Sequence, residues 1–230
     1  MKFILIFVSY FEIMATYESF IKLNGAIDDL VFYNLNGKNV VRKKSGFNKT
    51  AYNKSPTYEK VRQNSFEFGH CSKIGKLIRL CISKYIELAD EALLYQRFAK
   101  TMTRIKDLDI ENVKGKRSVK SGLKTIEGRN ILQQFEFGSI PGFNQNTYIS
   151  LGFWDKSLHL DKTLVANEVT IVNIKIDFEN YLTESFEEEI KVQNNQTELI
   201  FKNHFSEEDD VLHFVAMKKN SRIVQMGFVK

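Results

Sequence analysis

Several things are scarce in this chain, and each scarcity removes a class of protein. Two cysteines in 230 residues, Cys71 and Cys81, cannot form the disulfide framework of a small secreted domain. Two prolines and twelve glycines exclude collagen-like and proline-rich low-complexity architectures, and no seven-residue apolar repeat is sustained into a coiled coil. The four histidines, His70, His159, His204 and His213, show no HxxxH or HExxH spacing, and the cysteines no CxxC. No metal site is therefore assembled from local sequence, and no cofactor is expected. The N-terminal run Lys2–Ile13 (KFILIFVSYFEI) is apolar but shorter than the roughly 20 residues that a bilayer span needs. It could serve as a short signal h-region, yet Met14-Ala15-Thr16 follows it instead of a small-residue cleavage site. Residues 1–13 are expected to be an extension outside the fold, and the protein to be cytoplasmic with no membrane span.

What is present points to packed globular structure. The chain is 43% hydrophobic, with 19 Phe and 9 Tyr, which is too apolar for disorder and enough for one large core or two small ones. Charge is unevenly placed. Residues 1–35 carry two basic and four acidic side chains, residues 36–130 carry 22 and 9, and residues 131–230 carry 9 and 15. A basic middle and an acidic C-terminal part result.

The hydrophobic pattern changes at similar places. Short strands are expected over Phe20–Leu23, Leu30–Leu35 and Asn39–Lys44, joined by the turns Asn24-Gly25 and Asn36-Gly37. An Asn-Gly pair between apolar runs favours a type I′ hairpin, because both central residues adopt positive φ. With Asn36 and Gly37 in the turn, Leu35 pairs with Lys38, Tyr33 with Val40 and Val31 with Arg42, so that Val31, Tyr33, Leu35 and Val40 share a face. Ser55-Pro56 reads as a helix start. Tyr58, Val61 and Ser65 lie on one side of a first helical stretch. Ile74, Leu77, Ile78, Cys81, Ile82 and Tyr85 then follow helical spacing, with Lys73, Lys76, Arg79 and Lys84 between them. A second helix is predicted from about residue 90 to 105, with Leu94, Phe98, Met102 and Ile105 inward. A third, over about 118–133, turns Val119, Leu123 and Ile126 inward, although Gly122 and Gly128 weaken it.

Beyond Phe137 the period becomes that of strands, after a linker at Gly138–Gly142. Apolar runs are expected at 147–153, 168–178, 186–192, 197–205, 211–217 and 222–229. In the second, Val172, Ile174, Ile176 and Phe178 alternate with Asn173, Lys175 and Asp177, as in a half-buried strand. The fold class is accordingly α+β: an N-terminal β-hairpin and basic helical domain followed by an antiparallel β-sandwich, divided as residues 1–13, 14–138 and 139–230.

The segment FIKLNGAIDDLVFYNLNGKNVVRKKSGFNK (residues 20–49), followed by Pro56, Arg62, Glu67-Phe68-Gly69 and Lys73-x-Gly75-Lys76-Leu77, resembles an uncharacterised protein family common in Bacteroidota. The resemblance covers about the first 140 residues. It implies a strand pair with a Gly-rich turn, a basic segment, a helical region and a C-terminal β domain, and it implies no activity, substrate or catalytic residue.

Catalytic chemistry is sparse. Gly69–Leu77 has five residues between its glycines instead of the four of a phosphate loop, and Leu77 stands where a Ser or Thr would bind magnesium. Glycines here more simply let helices approach or mark a break between them. His70 and Cys71 are adjacent but diverge by about 100° on a helix. Glu187–Glu189 and Glu207–Asp210 match neither a calcium loop nor a paired acid and base, and read as solvated turns. Trp154 reads as a core anchor. The basic segment carries more information: Lys38, Arg42, Lys43, Lys44, Lys49, Lys54, Lys60 and Arg62 surround the single acid Glu59, with Phe47, Tyr52 and Tyr58 interspersed. Lys38, Arg42, Lys43, Lys44, Lys49, Tyr52, Lys54 and Arg62 are the candidate contact residues, and Lys114-Gly-Lys-Arg117 with Lys120 and Lys124 form a second basic cluster. Cations with aromatics suit nucleic acid; opposite charges on two halves suit head-to-tail association. The sequence thus leads to a non-enzymatic structural or interaction protein whose partner is a second copy or another protein, with nucleic-acid binding as the rival.

Overall fold

The computed structural model describes residues 14–19, 21–44, 49–140, 142, 150–152, 157–160, 166–193, 196, 198–202, 204–206 and 208–229. The expectations for residues 1–13 and for Trp154 lie outside them. Contacts divide the chain into two compact units, residues 1–58 and 59–230.

The first unit is built on one antiparallel sheet of strands β1 (Met14–Thr16), β2 (Gly25–Ile27), β3 (Leu30–Leu35) and β4 (Lys38–Lys43), in the order β1-β4-β3-β2. The β3–β4 hairpin has the expected register, with Leu35 opposite Lys38, Tyr33 opposite Val40 and Val31 opposite Arg42. Asn36 and Gly37 both have positive φ, 51° and 83°, as a type I′ turn requires. The preceding turn is displaced from the expected one. Ile27 pairs with Leu30, so Asp28-Asp29 makes the turn, and Gly25 opens β2 instead of ending a strand over 20–23. Asp28 accepts the left-handed conformation (φ 51°) that short polar side chains tolerate. A short helix α1 (Lys49–Lys54) and a 3-10 turn (Pro56–Tyr58) complete the unit.

The second unit opens with helices α2 (Glu59–Cys81), α3 (Ser83–Ala89), α4 (Leu94–Asp107), α5 (Val119–Lys124) and α6 (Ile126–Gln133). The predicted stripe is inward but runs over two helices: Ile74 and Ile78 of α2, Ile82 at the break and Tyr85 of α3 are buried, and Leu77 and Cys81 pack against them. Tyr58, Val61 and Ser65, one face of the first helical stretch, stay exposed. The expected third helix is two. Thr125, extended at ψ 151°, ends α5, and its hydroxyl accepts the Gly128 N–H at 2.9 Å as the N-cap of α6. That break resets the helical phase and turns Ile126 outward, while Val119 and Leu132 point in.

Strands β7 (Glu168–Asp177), β8 (Leu182–Lys191), β10 (Val211–Lys219) and β11 (Arg222–Val229) form an antiparallel sheet in the order β11-β10-β7-β8. A second sheet joins β5 (Ser150–Gly152), β6 (Ser157–His159) and β9 (Glu198–Ile200) in the order β5-β6-β9. One face of the larger sheet, with Val172, Ile174, Phe214, Ala216, Met226 and Phe228, packs on the helices. Aromatic rings stitch this junction: Phe135 meets Phe98 and Phe137 edge-on with centroids 5.0 Å apart, and Phe137 continues to Phe214 at 5.4 Å. The opposite face, with Val169, Ile171, Val215, Met217 and Val229, packs on Leu158, Leu160, Leu199 and Phe201 of the smaller sheet and its flanks.

The architecture is therefore α+β with N-terminal strands, a helical region and C-terminal antiparallel sheets. Because the helices and the larger sheet share one core, the expected boundary near residue 138 falls inside the second unit. Strand β7 is covered on both faces instead of one. Asn173, placed outward by alternation, is buried, and its amide is satisfied by the Lys202 carbonyl (3.3 Å) and His213 Nδ1 (2.7 Å).

Two glycines differ in what surrounds them. A Cβ on Gly122 would fall 2.0 Å from the Ile105 carbonyl of α4, whereas one on Gly69 would meet nothing within 4 Å. Gly122→Ala is expected to destabilise by about 1–3 kcal/mol through overpacking against backbone. Gly69→Ala is expected to stabilise by about 0.5–1 kcal/mol through lost unfolded-state entropy in a helix interior. Urea denaturation of the two variants checks both signs.

Candidate interaction surfaces and charged centres

The candidate contact residues are spread over both units. Lys38 and Arg42 alternate onto one face of β4 with buried Val40, while Lys43 points to the other face and Lys44 follows the strand. Lys49, Tyr52 and Lys54 lie on α1, where the Tyr52 and Tyr58 rings meet at 5.9 Å. Arg62 belongs to α2 and hence to the second unit. The hairpin cations therefore do not make one stripe. A concavity of about 460 Å³ beside the hairpin is lined by Lys22, Leu23, Asn24, Asn34, Gly37 and Asn39. It offers amides and one ammonium group, with no acid–base pair.

The charge balance follows the units. Residues 1–58 hold eight basic and four acidic side chains, and residues 59–230 hold 25 and 24. The second unit is nearly neutral in sum, and several of its basic and acidic side chains pair with each other. Lys84 binds Glu187, and Tyr85 Oη donates to the same carboxylate at 3.2 Å. Lys218 binds Glu168 (2.6 Å) and Glu189 (2.5 Å), and Glu188 accepts the Lys202 N–H at 2.8 Å. The run Glu187–Glu189, expected to be a solvated turn, is thus part of β8, and its three carboxylates have three different partners. Asp177, Glu179, Glu184, Asp209 and Asp210 gather around Lys120 and Lys175. Lys120 pairs with Asp210 at 2.7 Å and Lys175 with Asp209 at 2.9 Å. Asp210 raises the Lys120 pKa, helped by Glu179 and Asp177; Asp209 raises that of Lys175, helped by Glu184 and Asp177. Five carboxylates against two ammonium groups leave this patch negative.

One ionic centre lies inside. Glu67, 3% exposed, sits in the apolar phase of α2, four residues before Cys71 and seven before Ile74. Its Oε1 accepts from Gly115 N (2.6 Å) and Arg117 Nε (2.9 Å), and its Oε2 from Lys106 Nζ and Arg117 Nη2, both at 2.7 Å. The Arg117 fork holds the Glu67 carboxyl far below the ordinary carboxylate range, Lys106 and the Gly115 N–H adding to it against the cost of burial. Asp109 closes the same loop, accepting from the N–H groups of Glu111, Asn112 and Ser118. Arg117, placed by sequence in a surface basic cluster, is instead half-buried and paired with Glu67. Its signal in the sequence was the carboxylate at a core position of α2.

His70, Cys71 and His213 pack within the second unit. His70 Nε2 accepts the Val119 N–H at 3.1 Å, so Nδ1 carries the proton and donates to Tyr181 Oη, also at 3.1 Å. Cys71 points away into the core, its Sγ 3.6 Å from the Met102 carbonyl, and burial pushes its thiol up to about 11. His213 is held down to about 4 by burial. Both cysteines are free thiols. Among the described residues no group of three or more His, Cys, Asp or Glu is arranged to hold a metal ion, and no helix is long and apolar enough to cross a membrane. Comparison with protein-family models, curated proteins and solved structures finds no match.

Glu67→Gln removes the charge that Lys106 and Arg117 share, and is expected to cost about 3 kcal/mol at neutral pH, within the range for breaking a buried ion pair. Because the folded-state pKa is depressed, this stabilisation is complete above the ordinary carboxylate value of 4.5 and fades as pH falls below it. Urea unfolding between pH 7 and pH 3 should show the gap between wild type and Glu67→Gln narrowing toward acid.

Proposed function

We propose that this chain is a non-enzymatic interaction protein that self-associates through charge, the basic N-terminal unit of one copy meeting the acidic patch around Lys120 and Lys175 of the next. The observation that carries the reading is the distribution of charge: the excess of basic groups is confined to residues 1–58, while the second unit is close to neutral yet concentrates five carboxylates in one place. Complementary patches of this kind favour heterologous, head-to-tail contacts. They also make association sensitive to salt, since exposed charges are screened beyond about 8–10 Å at physiological ionic strength.

Nucleic-acid binding is the second reading, favoured by the Tyr52–Tyr58 ring pair flanked by Lys49 and Lys54. The opposed directions of Arg42 and Lys43 on β4 weigh against it, because a groove-binding ribbon presents its cations from one side.

Light scattering on the full chain separates the two. Self-association predicts a mass that rises with concentration at low salt, falls toward the monomer at high salt, and falls at low salt in Lys38→Glu/Lys43→Glu. A strict monomer at high concentration and low salt overturns it. If the second reading holds instead, Lys49→Gln/Lys54→Gln weakens retention of single-stranded DNA or RNA and reduces the slope of log affinity against log salt by about 1 to 2.

A further inference from the structure

Helix α5 begins against a histidine. Val119, its first residue, is buried, and its N–H, which no earlier turn of the helix can accept, donates to His70 Nε2 at 3.1 Å. The other ring nitrogen, Nδ1, lies 3.1 Å from Tyr181 Oη in the turn between β7 and β8. One imidazole on α2 thus joins two elements that follow it by 49 and 111 residues. The two ends of this link differ. Tyr181 is held in more than one way: its ring lies 5.7 Å from that of His70 and 4.6 Å from the Lys73 ammonium, on a left-handed backbone (φ 56°) that a bulky side chain seldom adopts. The bond to Val119 uses the single lone pair of the neutral ring.

That lone pair is also where a second proton binds. An N–H at Nε2 faces the Val119 N–H, donor against donor, and leaves a buried backbone group without an acceptor. It also sets a positive charge at the positive end of the α5 backbone dipoles. The bond to Tyr181 is untouched, because Nδ1 donates in both states. Among the described residues the surrounding charges do little to stabilise an imidazolium. Burial first, and then the Lys73 ammonium on the next turn of α2, hold the His70 pKa below the ordinary 6.5. Glu67, one turn earlier, is taken up by Lys106 and Arg117, and Asp109 in the loop before α5 accepts the Ser118 N–H. Lys120 on α5 pairs with Asp210, and Asp177 at the β7–β8 turn accepts the N–H groups of Glu179 and Asn180.

We propose that His70 is an acid-sensitive latch on α5, which on taking up a proton releases the first turn of that helix from α2 while the β7–β8 turn stays attached. A proton from solvent bonds to Nε2, and the hydrogen bond that breaks is the one from Val119 N–H. Because the closed latch disfavours the added proton, it is most stable above pH 6.5 and loosens as pH falls through the folded-state value. The latch lies wholly within the second unit and does not depend on the charge-driven self-association proposed above.

The test is a nuclear magnetic resonance titration of the full-length protein from pH 8 to pH 5, reading the His70 ring nitrogens together with backbone hydrogen exchange. At the start Nδ1 should carry the proton and Nε2 should not. Below 6.5 the Val119 amide, corrected for its intrinsic rate, should exchange faster by up to about tenfold per pH unit, the limit for an opening linked to one proton, and level off once the ring itself is protonated. The amides of β7 and β10 around Asn173, which report on His213 instead, should keep their protection. His70→Gln, whose amide oxygen can accept the Val119 N–H at any pH, should show no acceleration. Unchanged Val119 protection, a ring that titrates at or above 6.5, or equal acceleration in His70→Gln would each overturn the proposal. Acceleration shared by the β7 amides would overturn it as well, since that is general unfolding. Should His70→Gln not fold, the onset of Val119 exchange relative to the ring titration decides in the wild type alone.

Discussion

Strands β7 and β10 have no face that water tolerates, and much of the second unit follows from that constraint. Val172, Ile174, Phe214 and Ala216 point one way, Val169, Ile171, Val215 and Met217 the other. A sheet with two apolar faces needs a layer on each side. The helices supply one, and they can do so because α2 and α4 carry stripes of Ile, Leu, Phe and Met at helical spacing. The short strands β5, β6 and β9 supply the other. Two coverings of different kinds on one sheet explain why the chain changes from helical to strand periodicity midway without forming two independent cores in that region.

The same constraint accounts for the ionic centre. Packing helices closely on a sheet leaves the loop from α4 to α5 to cross the end of α2, and its backbone must find partners there. Glu67 is the partner: it takes the Gly115 N–H and draws Arg117 and Lys106 toward it, while Asp109 takes the next N–H groups. A neutral side chain at residue 67 could accept one of these bonds but would leave Lys106 and Arg117 to Asp107, a half-exposed carboxylate that reaches both. The carboxylate is therefore kept ionised by the groups it organises, and loop order and charge state rise and fall together.

Local features were readable from sequence, and the long-range ones were not. The β3–β4 hairpin register followed from Asn36-Gly37 alone, and the α2 stripe from spacing, since both depend on neighbours within a turn or two. Strands β1 and β6 went unseen because three residues carry no periodicity. Asp28-Asp29 displaced Asn24-Gly25 as the first turn because the pairing of Ile27 with Leu30, and not the local glycine, sets the register. Asn173 read as a solvent-facing residue because nothing nearby in sequence announces the second sheet that covers it. Lys106 and Arg117 lie 39 and 50 residues from Glu67, so no motif could have joined them, although a carboxylate in phase with Cys71 and Ile74 marked one end of the cluster. Of the candidate contact residues, sequence placed the β4 cations but not the faces on which they stand, and the stretch 45–54, readable only as a polar connection, holds the helix α1 that carries Lys49, Tyr52 and Lys54.

Charge shows most clearly how sequence blocks and surfaces differ. The basic stretch over 36–130 and the acidic stretch after it look like opposite poles of a dipolar molecule. Folding brings most of both into one unit, where Lys84, Lys120, Arg117 and Lys218 meet acids and the sums nearly cancel. Among the described residues two local imbalances stand out after that cancellation: the basic excess on the first unit and the carboxylates around Lys120 and Lys175. These residues were not neutralised by the contacts that build the core. Both stand at the surface, where salt screens them, so each offers long-range attraction more than a desolvated contact.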